Sequence, residues 1–324
     1  MRILTGLKPS GKLHIGNYFG AMEPAVKLQD QGEAFYFIAD YHAMTTMSDA
    51  ATLRASVQDL AIDFLACGLD PEKATIFRQS DIPEVNELAW ILSTVCPMGL
   101  LQRCHAYKDK VDKGFDANHA LFAYPALMAA DILLYDANVV PVGKDQKQHI
   151  EVTRDLAGKI NDKFGEGTLV VPEAQIKDST AIVLGVDGQK MSKSYGNIIP
   201  LTGGKKAIRK IMMQIITSSH EVAEAKPTDG SAVIALYKLF ADEAAVDQMI
   251  LEHGLTGEEG MGYGHFKQQL FDAYWEKFES VRTKREELEG NLDYVQQVIA
   301  NGALKAREES TKVLDRVRKV VGLR

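Results

Sequence analysis

Through the first half of the chain, short apolar runs alternate with longer stretches whose apolar residues recur every three or four positions. The runs at Ile3 and Leu4, 34–39, 74–78 and 138–142 fit strands. The stretches at 13–29, 51–67, 84–94, 123–135 and 146–164 fit helices. Such alternation predicts a doubly wound parallel sheet covered by helices, an α/β domain. Ligand sites are then expected at the carboxyl ends of the strands, where the strand order reverses. Polar residues gather at those ends, at 8–10, 40–42 and 143–146. After about residue 200 strand signals become few and the pattern is helical, with charged faces. Gly203 and Gly204 mark the expected boundary, which divides the chain into an α/β domain at 1–200 and an α-helical domain at 201–324.

A length of 324 residues agrees with two domains, or with one α/β domain and a helical extension. The formal net charge of −7 argues against a generally basic nucleic-acid binder, so any RNA contact must come from a local patch. Residues 303–324 offer one, with seven cations against three carboxylates. The same stretch carries Val313, Leu314, Val317, Val320 and Val321 at helical spacing, which equally marks a packing face. Cys67, Cys96 and Cys104 are too scattered for a disulfide framework, and without a CxxC pair no structural metal is expected. No run reaches eighteen apolar residues and no signal-like segment opens the chain, so a cytoplasmic protein without membrane contact is expected.

Two segments carry anion chemistry. Pro9-Ser10-Gly11 breaks the chain after the first strand and leads into a helix through His14-Ile15-Gly16-Asn17. Backbone N–H groups and the positive end of that helix suit a phosphate, and His14 and Asn17, three apart, share one face. Gly16 is expected where a Cβ would hold a nucleotide away from the backbone. About 175 residues later, Lys190-Met191-Ser192-Lys193-Ser194 sets two cations around small hydroxylated residues, a loop suited to a triphosphate. No GxGxxG follows the first strand, which disfavours a dinucleotide site. Gly260, Gly262 and Gly264 read as a loop between two helices.

The apolar helix around 124–135 holds one carboxylate, Asp131. Burying it unpaired would cost several kcal/mol, so it needs a partner, either a salt bridge or cap inside the fold or a ligand N–H. Tyr124, Met128 and Asp131 fall at i, i+4 and i+7 on one face, a combination suited to an aromatic side chain with a single donor.

The run from Gly6 to Asn17, the segment Ala129-Ala130-Asp131-Ile132-Leu133-Leu134-Tyr135, the stretch from Val140 to His149, Arg154-Asp155-Leu156-Ala157 and the 190–194 loop together resemble the tryptophanyl members of the class I aminoacyl-tRNA synthetases, across essentially the whole chain. The resemblance implies a Rossmann-like catalytic domain, a helical tRNA (anticodon)-binding domain, and a ligase that forms tryptophanyl-adenylate from ATP and then charges tRNA(Trp). It implies that Asp131 reads the indole nitrogen between Met128 and Val140, and that Tyr124, His42 and Gln146 hold the amino and carboxylate groups. Lys8, Pro9, Ser10, Gly16 and Asn17 would cradle ATP, with Gly143, Lys144 and Asp145 at its ribose and adenine side and Ile182 near adenine. His14, Asn17, Lys110, Lys190 and Lys193 would act on the triphosphate, with Met191, Ser192 and Ser194 completing the loop. Mg²⁺ would be held mainly through the phosphates, because no dedicated carboxylate cage is visible. A homodimer with tRNA crossing between subunits is implied, with no role for DNA.

Lys8 stands where many members have glutamine, and His14 where some have threonine. Methionine at 128, where tyrosyl enzymes carry glutamine, favours tryptophan over tyrosine. A tyrosine-specific ligase is the nearest alternative. A non-charging regulatory paralogue is disfavoured by His14, Lys190 and Lys193, and a small nucleotidylyltransferase would have no use for the 190–194 loop.

Overall fold

The computed structural model describes residues 1–104, 107, 112, 114, 118–143, 146–176 and 182–323. In chain order the elements are β1 (Arg2–Leu7), α1 (Ile15–Asn17), α2 (Glu23–Leu28), β2 (Glu33–Ile38), α3 (Asp40–Met44), α4 (Ala50–Ala66) and β3 (Ala74–Arg78). There follow α5 (Glu84–Ser93), α6 (Met98–Gln102), α7 (His119–Leu133), β4 (Val139–Val142), α8 (Lys147–Phe164) and β5 (Glu173–Ile176). The remainder is helical: α9 (Lys205–Met212), α10 (Ala232–Tyr237), α11 (Glu243–His253), α12 (Tyr263–Lys277), α13 (Glu279–Glu289) and α14 (Leu292–Val321). Contacts divide the chain into two compact units: Met1–Gly11, Pro24–Ser179 and Leu288–Arg324 form the first, Lys12–Glu23 and Thr180–Glu287 the second.

The first unit is the α/β layer. Its strands run parallel in the order β3-β2-β1-β4-β5, with Leu4 opposite Phe35 and Phe35 opposite Thr75. Interior β2 is buried at every position after Glu33, as a strand covered on both faces must be. The order reverses between β1 and β4, so Lys8, Pro9 and Ser10 after β1 and Gly143 after β4 lie at the switch point, as expected. Short α3 and α6 and the four-residue β5 go beyond the expected elements; β5 alternates Glu173 and Gln175 with apolar residues and carries no continuous apolar run.

The boundary expected near residue 200 is not where the contacts divide the chain. Helix α14 begins at Leu292 and belongs to the sheet unit. Its buried stripe includes Val295, Val298, Ile299, Ala306, Val313, Leu314 and Val317. At Gly302 a Cβ would sit 1.9 Å from the Ile76 carbonyl oxygen, so only glycine lets the helix cross edge strand β3 this closely. Ion pairs fasten the same helix: Arg307 to Glu84, Arg316 to Asp136, and Arg318 to Glu87 and Asp315. Arg307, Lys312, Arg316 and Arg318 are thus paired with carboxylates of the chain, and the apolar stripe of the segment packs as its spacing predicts.

The second unit is helical, and an aromatic cluster explains why residues 12–23 belong to it. Tyr18 meets Phe278 edge-on at 4.8 Å between centroids, and Phe19 meets Phe240 at 5.6 Å. The helix expected over 13–29 is interrupted there by a π-helical turn at Tyr18–Met22. Tyr274, fully buried, donates its hydroxyl to the carbonyls of Pro200 and Leu201 and so fixes the chain beyond the 190–194 loop. The glycines at 260 and 262 lie between α11 and α12, whereas Gly264 falls inside the first turn of α12.

Candidate active site

The second unit brings the two anion motifs together. The backbone around His14 pairs antiparallel with Pro200: Ile15 N–H donates to the Ile199 carbonyl at 3.1 Å and Leu201 N–H to the Leu13 carbonyl at 2.9 Å. The helix start thus lies against the strand that leaves the lysine loop. His14 is the N-cap of α1, with its Nδ1 accepting the Asn17 N–H at 3.3 Å while Asn17 Oδ1 accepts the His14 N–H at 3.2 Å. Because Nδ1 is an acceptor, the ring proton resides on Nε2, which can donate to an oxyanion. Gly16 serves this cap: a Cβ there would meet His14 Nδ1 at 2.9 Å, so glycine makes room for the imidazole.

Burial, reinforced by neighbouring Lys193, pushes the His14 pKa down from 6.5 to about 4. The folded ring is neutral at pH 7, while the unfolded chain takes up a proton near 6.5. His14 therefore lowers folding stability as pH falls from about 6.5 to about 4, the window in which only the unfolded state protonates. Titration of the His14 ring protons by NMR should show no midpoint above pH 5; a midpoint near 6.5 would contradict the buried, capped geometry.

The lysine loop is built around Asn197, a residue that sequence reasoning missed. Asn197 is buried; its Oδ1 accepts the Ser192 N–H at 2.8 Å, and its Nδ2 donates to Asp187 Oδ1 at 2.8 Å and to the Lys190 carbonyl at 3.1 Å. A Cβ on Gly185 would fall 2.4 Å from this side chain, so that glycine is required by the Asn197 clasp. Met191 is buried and donates its N–H to the Val183 carbonyl, Ser192 and Ser194 hydroxyls bond one another at 2.8 Å, and Lys193 opens a 3-10 turn closed by left-handed Gly196. Lys190 is exposed. Ile182, 65% exposed, is not gathered into this clasp.

The first unit holds Asp131, the candidate acceptor. Asp131 on α7 is 3% exposed and is not alone. His42 Nε2 donates to Oδ2 at 2.8 Å, and Gln79 Nε2 reaches Oδ1 at 2.8 Å and Oδ2 at 2.9 Å. Of the two partners considered for Asp131, the fold thus supplies its own, and His42 is turned onto that carboxylate. Burial raises the Asp131 pKa, and the bonds from His42 and Gln79 oppose the rise by favouring the charged form. An ionised carboxylate offers roughly four lone-pair positions, and three are used, which leaves one on Oδ1 for a further donor. Around it, Tyr124 bonds His149 Nε2 through its hydroxyl at 2.7 Å and lies edge-on to His42, Met128 is half-buried and Val140 is buried. Gln146 is half-buried at the N-cap of α8, its N–H on the Gly143 carbonyl. Lys8 Nζ donates to Thr46 Oγ1 at 2.7 Å. Lys110, Lys144 and Asp145 lie outside the described residues. Among the described residues no group of three or more His, Cys, Asp or Glu side chains could hold a metal ion, and no helix is long and apolar enough to cross a membrane.

The sheet unit thus holds a buried carboxylate with internal partners, and the helical unit a His-containing helix start paired with the segment that follows the lysine loop. Residues 1–279 match the tRNA synthetases class I (W and Y), and the chain belongs to that family. Its activity is that of an aminoacyl-tRNA ligase. The tryptophan–tRNA ligase of Rhodopirellula baltica is 51% identical over 324 residues, covering the whole of both chains, and that of Fusobacterium nucleatum is 48% identical over 99% of this chain and 98% of its own. The crystal structure of tryptophanyl-tRNA synthetase from Campylobacter jejuni complexed with ADP and tryptophan is similar with a TM-score of 0.94 at 44% identity, covering 99% of this chain and 100% of that one.

Proposed function

We propose that the chain joins L-tryptophan to the 3′-terminal ribose of tRNA(Trp) in two steps. The observation that carries this reading is Asp131, a buried carboxylate on an apolar helix face with one lone-pair position left for a donor such as the indole N–H. Met128 on the same face offers a polarizable wall and no second polar group, which favours indole over phenol. Tyr124, His42 and Gln146 are proposed to hold the amino and carboxylate ends, and Lys8, Pro9, Ser10 and Gly143 the nucleotide.

The tryptophan carboxylate attacks the α-phosphorus of ATP, and the bond to the bridging oxygen of pyrophosphate breaks. Charge builds on that leaving oxygen. The His14 Nε2–H, Lys190 and Lys193 are the groups proposed to stabilise it, since positioning and electrostatics dominate phosphoryl chemistry. Magnesium arriving with ATP would lie on phosphate oxygens and add to the neutralisation. In the second step a ribose hydroxyl of the tRNA displaces AMP from the adenylate.

For the tRNA surface, support comes from α9. Lys205, Lys206, Arg209 and Lys210 are exposed, no acidic residue accompanies them on the helix, and among the described residues none of them is ion-paired. Arg209 bonds Gln268, and Lys205 stands over the Trp275 ring. A cytoplasmic homodimer is the assembly we propose, with exposed Trp90 and Met98 giving the first unit an apolar face for a second copy.

The test is charging of tRNA(Trp) with labelled tryptophan. The parent chain should form the ester with tryptophan and not with tyrosine. Replacing Lys206, Arg209 and Lys210 by alanine together should raise the KM for tRNA and flatten the salt dependence of tRNA binding, because fewer counterions are released, while pyrophosphate exchange is kept. An unchanged salt slope would move the tRNA surface away from α9.

A further inference from the structure

Gln79 is 2% exposed and opens the 3-10 turn Gln79–Asp81 that follows edge strand β3. Its amide nitrogen straddles the Asp131 carboxylate, 2.8 Å from one oxygen and 2.9 Å from the other, while its Oε1 accepts the His42 backbone N–H at 3.4 Å. The turn itself is clipped to α3, the helix that carries His42: Ser80 donates its N–H to Asp40 Oδ1 at 3.0 Å and its hydroxyl to Oδ2. An ionised carboxylate can only accept, so the amide must face it nitrogen first, which in turn directs Oε1 to His42.

We propose that Gln79 is a positioning residue for amino-acid selection: it fixes the plane of the Asp131 carboxylate so that Oδ1 keeps one lone pair for the ring N–H of the substrate. This rests on the reading of Asp131 as the indole acceptor. Without Gln79, His42 would be the one remaining side-chain donor on the carboxylate among the described contacts, attached to Oδ2 alone. The carboxylate could then rotate about that single bond or be captured by a proton, since burial already raises its pKa. Either change removes the acceptor that distinguishes a ring with an N–H from one without.

The experiment compares pyrophosphate exchange driven by tryptophan with exchange driven by β-(3-benzothienyl)alanine, in which sulfur replaces the indole N–H in a ring of nearly the same shape. Gln79→Met keeps side-chain length without a donor, and Gln79→Ala removes the side chain. Each variant should lose roughly 10–100-fold in kcat/KM for tryptophan, mostly through KM, because a charge-assisted bond is lost. The benzothienyl substrate should change little, so the ratio of the two collapses. That ratio is independent of the fraction of folded enzyme, so a variant that folds poorly still reports. A parent that prefers tryptophan, with variants that slow both substrates equally, would overturn the role of Gln79 and leave the Asp131 reading standing. A parent indifferent to the N–H would overturn the Asp131 reading, and this proposal with it.

Discussion

Replacing Lys193 by alanine is expected to slow formation of tryptophanyl-adenylate by roughly 10²-fold or more, since one preorganised charge-stabilising group is worth about 3 kcal/mol in a transition state. Lys193 stands on the 3-10 turn of a loop whose backbone is clasped by Asn197, and it is close enough to His14 to depress that imidazole. The cation therefore lies near the His14 ring, on the surface proposed to bind the triphosphate. Tryptophan binding in the absence of ATP should be unchanged, because the proposed indole acceptor is held by α3, α7 and the turn after β3. Single-turnover measurement of adenylate with ATP and tryptophan checks both statements. A parental rate would remove the loop from the chemistry.

Asp131→Ala is expected to have the larger effect on selectivity. A site that bonds a substrate donor rejects analogues lacking it by as much as ~10⁴–10⁵, because its own polar group is otherwise stranded. The variant should lose most of its preference for tryptophan over phenylalanine in pyrophosphate exchange, with the KM for tryptophan rising sharply. The internal partners of Asp131 change what stability should do. The substitution removes a costly buried charge, yet it strands the donors of His42 and Gln79, at about 1–3 kcal/mol for a buried unsatisfied group. A modest fall in Tm is expected alongside the selectivity loss, so thermal stability alone does not distinguish a ligand-reading role from a structural one. The tryptophan-to-phenylalanine ratio does. An unchanged ratio would reduce Asp131 to a structural group.

The alternation of apolar runs and helical stripes is enough to place β1 to β4, because burial on both faces of a parallel sheet leaves a local signature, but the strand order that singles out the ends of β1 and β4 among the three polar strand ends is not in the pattern. His14 and Lys190 were legible as partners only through their joint resemblance to one family. The two segments are joined by the bonds of Ile15 to Ile199 and Leu201 to Leu13, which no local pattern encodes. Gln79 and Asn197 were missed for the same reason. Each is one polar residue in a turn, and its partner lies elsewhere in the fold. For α14 the valine stripe shows that the helix packs, but not that it packs on the sheet unit through Gly302. The backbone approached, that of Ile76, was not in the pattern. Charge counts do not show which cations already hold carboxylates, as Arg307, Arg316 and Arg318 do on that helix and those of α9 do not.

The most direct measurement is exchange of labelled pyrophosphate into ATP by the purified chain, with each of the twenty amino acids offered separately. The account predicts exchange with tryptophan far above every other, and tyrosine near background because the face of α7 carries Met128 beside Asp131. Exchange driven chiefly by tyrosine, or by no amino acid at all, would contradict it.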